Sequence, residues 1–291
     1  MKTLLWSVVL VSMLGGGVVC AEEEQGAPII LFDSDRTGNP EIYSVDLDGS
    51  DPVRLTSHPE ADYAGWPSPD GSKIVFSSRR SGLDRLYIMQ MDSQDVRLIT
   101  GIPGNGGQPV WSPGGSRIVL VSHVDDDAEI CVVNADGTDY RQLTHNDHGD
   151  FEPTWLPDGE RIGWCSDPDG NADIYVMHAD GTNVARLTHD PSIDAYPNWS
   201  PDGSRIAFCS DRSGAWEIYV MSADGSDVCQ LTDTCAFDGA PRWSPDGTQI
   251  VFQSDRDGDS EIFVMNADGS DVRQVTENEA ADAHPCWIPA L

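Results

Sequence analysis

The sequence predicts an all-β protein, a six-bladed β-propeller in which every blade is a four-stranded antiparallel sheet. A polar turn, an apolar strand, an A-D-G turn and an L-T pair recur along the 291-residue chain at a constant interval. A repeat of about 40 to 45 residues with several short strand patterns is typical of a propeller blade, which cannot bury both of its faces alone. The glycines of the first turn are each 44 positions apart, at Gly71, Gly115, Gly159, Gly203 and Gly247.

The copy that begins at Ala240 shows the elements in order. Residues 241–243 form a first strand, and the Ser-Pro-Asp-Gly that follows is a turn in which Pro fixes φ and Gly adopts a positive φ. Residues 250–252 and 261–266 form the second and third strands, and after an Ala-Asp-Gly hairpin turn the fourth strand covers 271–276. Apolar residues occupy successive positions of the second and third strands, which predicts that neighbouring blades cover both faces.

The length of the repeat region predicts how the ring closes. The interval from Ala27 to Leu291 equals six repeats of 44 residues. The segment around Trp287 is therefore predicted to supply the innermost strand of the blade whose other strands come from residues 29–56, which removes an open edge. In one copy Pro67 occupies the place that Trp has in the others and Trp66 precedes it, so we expect a bulge or kink in that strand.

The first residues of the chain predict export. Residues 1–21, with Lys2 and an apolar stretch before Val19-Cys20-Ala21, are typical of a secretory signal peptide. A short tail, 22–27, and the propeller, 28–291, follow. This predicts a periplasmic or secreted protein, and anchoring as a lipoprotein through Cys20 is the less favoured alternative. No other segment is apolar over enough residues to span a membrane.

The charge balance restricts the class of partner. The chain has 49 acidic and 17 basic residues and a formal net charge of −32. This composition disfavours nucleic acid and anionic lipid as partners and favours a cation or a basic protein surface. A monomer is expected.

Six cysteines follow the signal segment. Export permits disulfides, and Cys229 with Cys235 is the one candidate pair. Cys165 and Cys209 lie one period apart, and we interpret them as small buried hydrophobic side chains.

The repeat P-x-W-S-P-D-G, then S-D-R-x-G-x-x-E-I-Y-x-M-x-A-D-G and L-T, resembles the repeats of TolB-type, WD-repeat-like β-propellers, most clearly in residues 197–232 and 241–276. The resemblance implies an exported six-bladed module that binds proteins. TolB carries an α/β domain before its propeller, and similar propellers of prolyl-oligopeptidase type carry a peptidase domain. We expect this chain to lack both, so the resemblance does not carry over the Tol–Pal partners.

The loops between L-T and the next P-x-W are predicted to surround one mouth of the central channel and to contact a partner. Carboxylates recur at one loop position in five of the six copies, and if they converge on the axis they require a cation or a partner's Lys or Arg. The alternative is that each Asp caps its own loop. Aromatic and amphipathic side chains in the same loops are predicted contacts. The predicted binding residues are Asp62, Asp150, Asp194, Asp238, Asp282, Tyr63, Phe151, Tyr196, Phe237 and His284.

The turn between the second and third strands gives a second cation hypothesis, because two copies resemble calcium loops with oxygen ligands around a Gly. The alternative is structural, with acids of the repeat pairing with scaffold arginines such as Arg212. Ca²⁺ or another divalent cation is thus an optional ligand, and no cofactor is required. Exposed His145, His148 and His189 are favoured over a transition-metal site. The predicted calcium ligands are Asp167, Asp169 and Asp173 in one copy and Asp255, Asp257, Asp259 and Glu261 in the other.

Sequence motifs of catalysis are missing. The chain contains no G-x-S-x-G, no H-E-x-x-H and no glycine-rich phosphate loop. We therefore expect a non-catalytic protein-binding scaffold of the cell envelope. The alternative from another class is a metal-dependent carbohydrate-active lyase or hydrolase at the channel mouth.

Overall fold

The computed structural model describes residues 28–124, 127–168 and 170–289. These residues form 24 strands in six four-stranded sheets and contain no helix. All pairs of neighbouring strands are antiparallel. The predicted six-bladed propeller is confirmed. The predicted signal peptide, with Cys20, and Asp169 lie outside the described residues.

The strands of each blade are given from the innermost outward. Blade I consists of β24 (Asp282–Ile288), β1 (Ile29–Ser34), β2 (Glu41–Asp46) and β3 (Val53–Arg54). Blade II consists of β4 (Asp62–Pro67), β5 (Lys73–Ser78), β6 (Arg85–Gln90) and β7 (Val96–Leu98). Blade III consists of β8 (Asn105–Trp111), β9 (Arg117–Val124), β10 (Asp127–Asn134) and β11 (Arg141–Gln142). Blade IV consists of β12 (Asp150–Trp155), β13 (Arg161–Ser166), β14 (Asp173–His178) and β15 (Ala185–Arg186). Blade V consists of β16 (Asp194–Trp199), β17 (Arg205–Ser210), β18 (Glu217–Ser222) and β19 (Cys229–Gln230). Blade VI consists of β20 (Asp238–Trp243), β21 (Gln249–Ser254), β22 (Glu261–Asn266) and β23 (Arg273–Gln274).

Blade I joins the two ends of the described chain, as predicted. The last strand, β24, pairs with β1, with Trp287 opposite Ile30 and Cys286 opposite Leu31. Each innermost strand also packs against the innermost strands of both neighbouring blades, and the contacts of β24 with β20 and β4 complete the circle. The six innermost strands therefore surround a central channel.

The hydrophobic core is divided among the interfaces between blades. Between blades VI and I, for example, Val251 and Ile262 pack with Ile30, Phe32 and Trp287, all of them buried. The second strand of blade I is buried at five successive positions, which fits a sheet covered on both faces. Because every blade is covered by two others, the continuous apolar pattern of its middle strands is explained.

The bulge predicted for the strand with Trp66 is present in all six innermost strands. Each one shifts register against its neighbour at the same place in the repeat. A bulge bends a strand and increases its local twist, which suits strands that run along a narrow axis. The residue at the bulge has a positive φ of 50° to 56° in every blade, at Ala64, Gln108, Glu152, Tyr196, Ala240 and His284.

The candidate disulfide is not formed, since Cys229 and Cys235 are both free and exposed. Cys229 lies on the outer strand β19, whereas Cys235 lies in the loop that leads to the next innermost strand. Cys165 and Cys209 are buried among apolar side chains, as predicted.

Truncating the chain after Ala283 is expected to lower the melting temperature by about 10 °C or more, because it removes most of β24. Burial of Trp287 alone is worth roughly 3–5 kcal/mol, and each kcal/mol corresponds to about 2–4 °C in a protein of this size. Thermal unfolding followed by circular dichroism measures the change. Val184→Ala, at an exposed position, is the control, and an equally stable truncated protein would contradict closure by β24.

Candidate binding site at the propeller axis

The recurring aspartates are bound inside their own blades. Asp238 begins β20 and is inaccessible to solvent, and Nη2 of Arg256 lies 2.9 Å from its Oδ1 and 3.0 Å from its Oδ2. Arg256 follows β21 and stacks on the Phe263 ring at 4.6 Å. The same combination of buried Asp, turn Arg and aromatic ring joins Arg36 to Asp282, Arg80 to Asp62 and Arg212 to Asp194.

Blades III and IV depart from this arrangement. In blade IV, Pro168 stands where blades I, II, V and VI have Arg, and Asp150 instead accepts hydrogen bonds from Trp164 Nε1 at 3.1 Å and Asn146 Nδ2 at 2.8 Å. Blade III has Val124 in place of the arginine and Gly106 in place of the aspartate, so both members of the pair are missing there. The buried carboxylate of blade IV is therefore held by donors other than an arginine.

This geometry corrects the prediction that the carboxylates converge on the axis. All five are fully buried, and each is held by donors from its own blade or loop instead of facing a shared opening. The scaffold interpretation of Arg36, Arg80, Arg212 and Arg256 is confirmed. The reason is local: the turn Arg follows the strand that pairs with the start of the innermost strand, so it reaches the buried Asp directly.

The acids of the predicted calcium loops are occupied in a similar way. Asp255 Oδ1 accepts the backbone N–H of Phe237 at 2.7 Å, and Asp167 Oδ1 accepts that of Gly149 at 3.0 Å. Asp173 is bound by Arg186 and by the Thr188 hydroxyl. Asp257 and Asp259 have no hydrogen bond or ion pair with another described residue.

Among the described residues, which exclude Asp169, no three His, Cys, Asp or Glu side chains are grouped to hold a metal ion, and calcium binding stays a prediction. His145 and His189 are exposed.

The predicted aromatic contacts divide into two groups. Phe151 packs in the core between blades, Tyr63 donates its hydroxyl to Asp84 at 2.6 Å, and Phe237 packs on Trp216. Tyr196 and His284 form the second group, and both occupy the bulge position of an innermost strand.

Polar side chains link neighbouring blades at the bulges. Gln108 Oε1 accepts the backbone N–H of Glu152 at 2.8 Å, and Glu152 Oε2 accepts that of Tyr196 at 2.7 Å. Asp33 Oδ1 accepts the backbone N–H of Ala64 at 3.0 Å and lies 2.9 Å from His284 Nδ1. The Asp33 carboxylate raises the pKa of His284, and burial raises the pKa of Glu152. The channel wall is therefore polar and charged at this level.

Two residues further along the innermost strands, the channel widens into a cavity of ≈ 230 Å³ that we call the axial cavity. All six blades contribute to its wall, and the wall combines indole rings with prolines of the Ser-Pro turns. Its tryptophans are Trp66, Trp111, Trp155, Trp199, Trp243 and Trp287. The position just before that of the repeated Trp also lines the axial cavity in every blade. Its residues are Trp66, Val110, Thr154, Asn198, Arg242 and Cys286.

Arg242 is the charged residue in this wall. Its Nη1 donates to the carbonyl of Pro241 at 2.9 Å, and its guanidinium lies 5.1 Å from the ring centre of Trp66. Burial lowers the pKa of Arg242, and the negative charge of Glu152 opposes this shift. The group stays a cation, because a guanidinium is effectively always protonated in proteins.

Sequence reasoning missed Arg242 and the whole axial cavity. The tryptophans were recognised as a repeated position, but the loops before the innermost strands were predicted to form the mouth. A usable signal was present: the x of P-x-W is Val, Thr, Asn, Arg and Cys in the five blades that carry the motif, whereas the Pro and the Trp repeat. Variation at one position of a regular repeat indicates residues that the shared fold does not require.

A second carboxyl group lies beside each of several recurring aspartates, across the blade interface. Glu261 accepts hydrogen bonds from the Thr276 hydroxyl at 2.5 Å and the Asn278 backbone N–H at 2.6 Å. Asn278 Nδ2 also donates to Asp282 at 2.9 Å. Burial, together with the nearby Asp282 carboxylate, raises the pKa of Glu261 to about 7.

Asp238→Asn is expected to lower the free energy of unfolding by about 2–4 kcal/mol, because it leaves Arg256 without its ion partner in a mostly buried place. Asp257→Asn, at an exposed position in the adjacent turn, is the matched control and should change it by less than about 0.5 kcal/mol. Urea unfolding measures both. Equal effects of the two substitutions would contradict the structural role of the pair.

Glu261 is expected to make the folded state less stable as pH rises from about 5 to 8. Its pKa is about 7 when folded and 4.5 when unfolded, so the folded protein holds the proton more tightly and loses that advantage as the carboxyl ionises. Glu261→Gln, which resembles the protonated form, should flatten this part of the profile. Urea unfolding at pH 5 and pH 8 tests it, with exposed Glu277→Gln as control. An unchanged slope in Glu261→Gln would contradict the assignment.

Comparison with known proteins agrees with the fold. A family model described as the TolB beta propeller domain matches residues 68–195, 166–238 and 192–290. Among curated proteins, none matches this chain.

Three solved structures show the same architecture. TolB from Acinetobacter baumannii is 23% identical over 90% of this chain and 67% of that chain, with a TM-score of 0.79. A putative TolB from Agrobacterium tumefaciens is 22% identical over 91% of this chain and 100% of that chain, with a TM-score of 0.74. An oligogalacturonate lyase in complex with manganese is 18% identical over 86% of this chain and 74% of that chain, with a TM-score of 0.62.

These identities show a shared fold alone, whereas the family model matches the sequence itself over most of the described residues. The match covers the same Trp-Ser-Pro-Asp-Gly and Ala-Asp-Gly repeats that build blades II to VI and the closing strand. This chain therefore belongs to the TolB β-propeller family.

Proposed function

We propose that this chain is an exported, non-catalytic module of the cell envelope that binds another protein over the open end of the axial cavity. The observation that carries the proposal is the cavity itself, a concave opening on the axis lined by tryptophans, prolines and one arginine. Trp and Arg are enriched among the residues that dominate binding energy at protein interfaces.

The rim of the axial cavity is suited to a partner because it is rigid. Pro69, Pro113, Pro201 and Pro245 border the cavity and are exposed. Neighbouring turns approach each other closely, since Pro201 lies 3.5 Å from the place a Cβ would take on Gly247, which has a φ of +72°. A surface that is already ordered loses little conformational entropy on binding.

The net negative charge of the chain supports a partner with a basic surface. The chain carries a formal net charge of −32, so long-range attraction favours a basic protein surface. None of the described residues belongs to a helix that could cross a membrane. Export rests on the signal-like residues 1–21, which lie outside the described residues.

The partner contact is expected to depend on the rim prolines. A partner captured from envelope extract on the immobilised protein is identified and purified, and its affinity is measured by calorimetry. The double variant Pro113→Gln and Pro201→Gln should weaken binding by about tenfold or more, the effect expected of central interface residues. The matched control is Ser81→Gln with Ser213→Gln, which changes exposed turns between second and third strands.

Two results would overturn the proposal. If the control pair weakens binding and the proline pair does not, the contact lies elsewhere. If no partner is retained and acidic polysaccharide is instead converted in a chelator-sensitive reaction, the lyase or hydrolase alternative replaces it. Both measurements use the same purified protein.

A further inference from the structure

Arg242 differs from the other buried arginines because it has no ion partner among the described residues. Arg36, Arg80, Arg212 and Arg256 each lie within hydrogen-bond distance of a buried aspartate. No described carboxylate oxygen lies within 4.0 Å of the Arg242 guanidinium, whose one hydrogen bond goes to the adjacent Pro241 carbonyl. Five N–H groups in a forked arrangement therefore have most of their capacity unused.

The negative charge with the largest influence on Arg242 already accepts hydrogen bonds from other groups. Glu152 influences Arg242 through space, but its Oε2 accepts the Tyr196 backbone N–H at 2.7 Å and the Cys165 thiol at 3.3 Å. Burying a cation without a close counter-charge costs free energy. The fold itself does not require this cation, since the same position holds Val110 or Cys286 in other blades.

A second unused donor lies in the neighbouring blade. Asn198 occupies the place in blade V that Arg242 has in blade VI, and it is only 9% exposed. Its Oδ1 accepts the Trp243 backbone N–H at 2.9 Å, which fixes the amide orientation, and its Nδ2 donates to none of the described residues. Both side chains line the axial cavity. Adjacent blades thus present a guanidinium and an amide N–H₂ to the same space.

The rest of the wall selects against inorganic anions. Indole rings and prolines make most of the cavity apolar, and they favour a ligand with an organic body. One cation matches a single negative charge, and the nearby Glu152 carboxyl disfavours a second. The volume of ≈ 230 Å³ exceeds the roughly 150 Å³ of an engineered apolar cavity that binds benzene, so it suits one small molecule or one terminal residue of a peptide.

We propose that the axial cavity binds a carboxylate carried on a small aromatic or aliphatic body, with the carboxylate on Arg242 and Asn198 Nδ2 and the body against the tryptophans. Two sources share this chemistry, a free organic acid and the carboxy terminus of a protein partner. If the ligand is the carboxy terminus of a protein partner, this inference rests on the proposed function and specifies its contact. Binding of a free acid does not depend on any protein partner.

Benzoate and its neutral analogue benzamide are the first probes, because they differ in charge and hardly in shape. Acetyl-Gly-Trp with a free carboxyl end and the same peptide with an amidated end are the second pair. Benzoate binding is followed by quenching of the cavity tryptophans, and all four probes are compared by calorimetry on the purified full chain. Benzoate is expected to saturate, and benzamide to bind at least about tenfold more weakly.

Arg242→Gln should weaken benzoate at least about tenfold, since it removes the charge and the forked donors. The matched control is Arg205→Gln, because Arg205 also stacks on an indole, 4.4 Å from the Trp243 ring centre, but does not line the axial cavity. That variant should retain the affinity of the parent. Melting curves of both variants establish that they are folded, and if Arg242→Gln does not fold, the benzoate and benzamide pair on the parent protein decides.

The outcomes distinguish a free acid from the carboxy terminus of a partner, and they distinguish failure of this inference from failure of the proposed function. Tighter binding of the free-ended peptide than of benzoate, lost on amidation, supports the carboxy terminus of a partner, and the reverse order supports a free acid. Equal binding of benzoate and benzamide, retained affinity in Arg242→Gln, or no saturable binding by any probe would overturn the inference. In that case a partner whose binding requires Pro113 and Pro201 would still support the proposed function, so the two failures are distinguishable.

Discussion

The structure depends on the rule that a blade cannot bury both of its faces without a neighbour on each side. Every apolar middle strand, such as β1 with its five successive buried residues, is covered only because the ring is complete. Pairing of β24 with β1 completes it, since Trp287 and Cys286 lie opposite Ile30 and Leu31. The closing strand thus stabilises interfaces far from itself, as each blade supports the next.

Closing the ring buries polar groups at the interfaces between blades, and residues that recur in the repeat form ion pairs and hydrogen bonds with them. Asp282 is held by Arg36, while its backbone N–H donates to the Ser260 carbonyl of blade VI at 2.7 Å. The Thr hydroxyl of an L-T pair donates to a buried carboxylate in the same way, as Thr232 does to Glu217 at 2.6 Å. Conspicuous acidic motifs are therefore structural here, because buried carboxylates need donors. The regular spacing of these groups follows from the hydrogen bonds that each blade repeats.

At the axis, in contrast, the side chains differ from blade to blade, and we assign them to binding instead of to the scaffold. Where the bulges and the following positions face the channel, the six blades differ: Tyr196 and His284 at one level, Asn198 and Arg242 at the next. These side chains contribute to no recurring ion pair of the scaffold. A rigid ring can vary them at little cost to stability, which is the arrangement expected of a binding site on a repeat protein.

The sequence by itself determined the number of blades, the strand order and the closing strand, because a 44-residue period and local turn chemistry specify each blade independently. It also allowed the scaffold interpretation of Arg36 and its equivalents, since Arg and Asp recur at fixed spacing. Only the tertiary structure decided where the channel opens, that Asp238 is buried, and that Arg242 lacks a partner. Those facts depend on how the side chains of six sheets meet around one axis, which the repeat period does not specify.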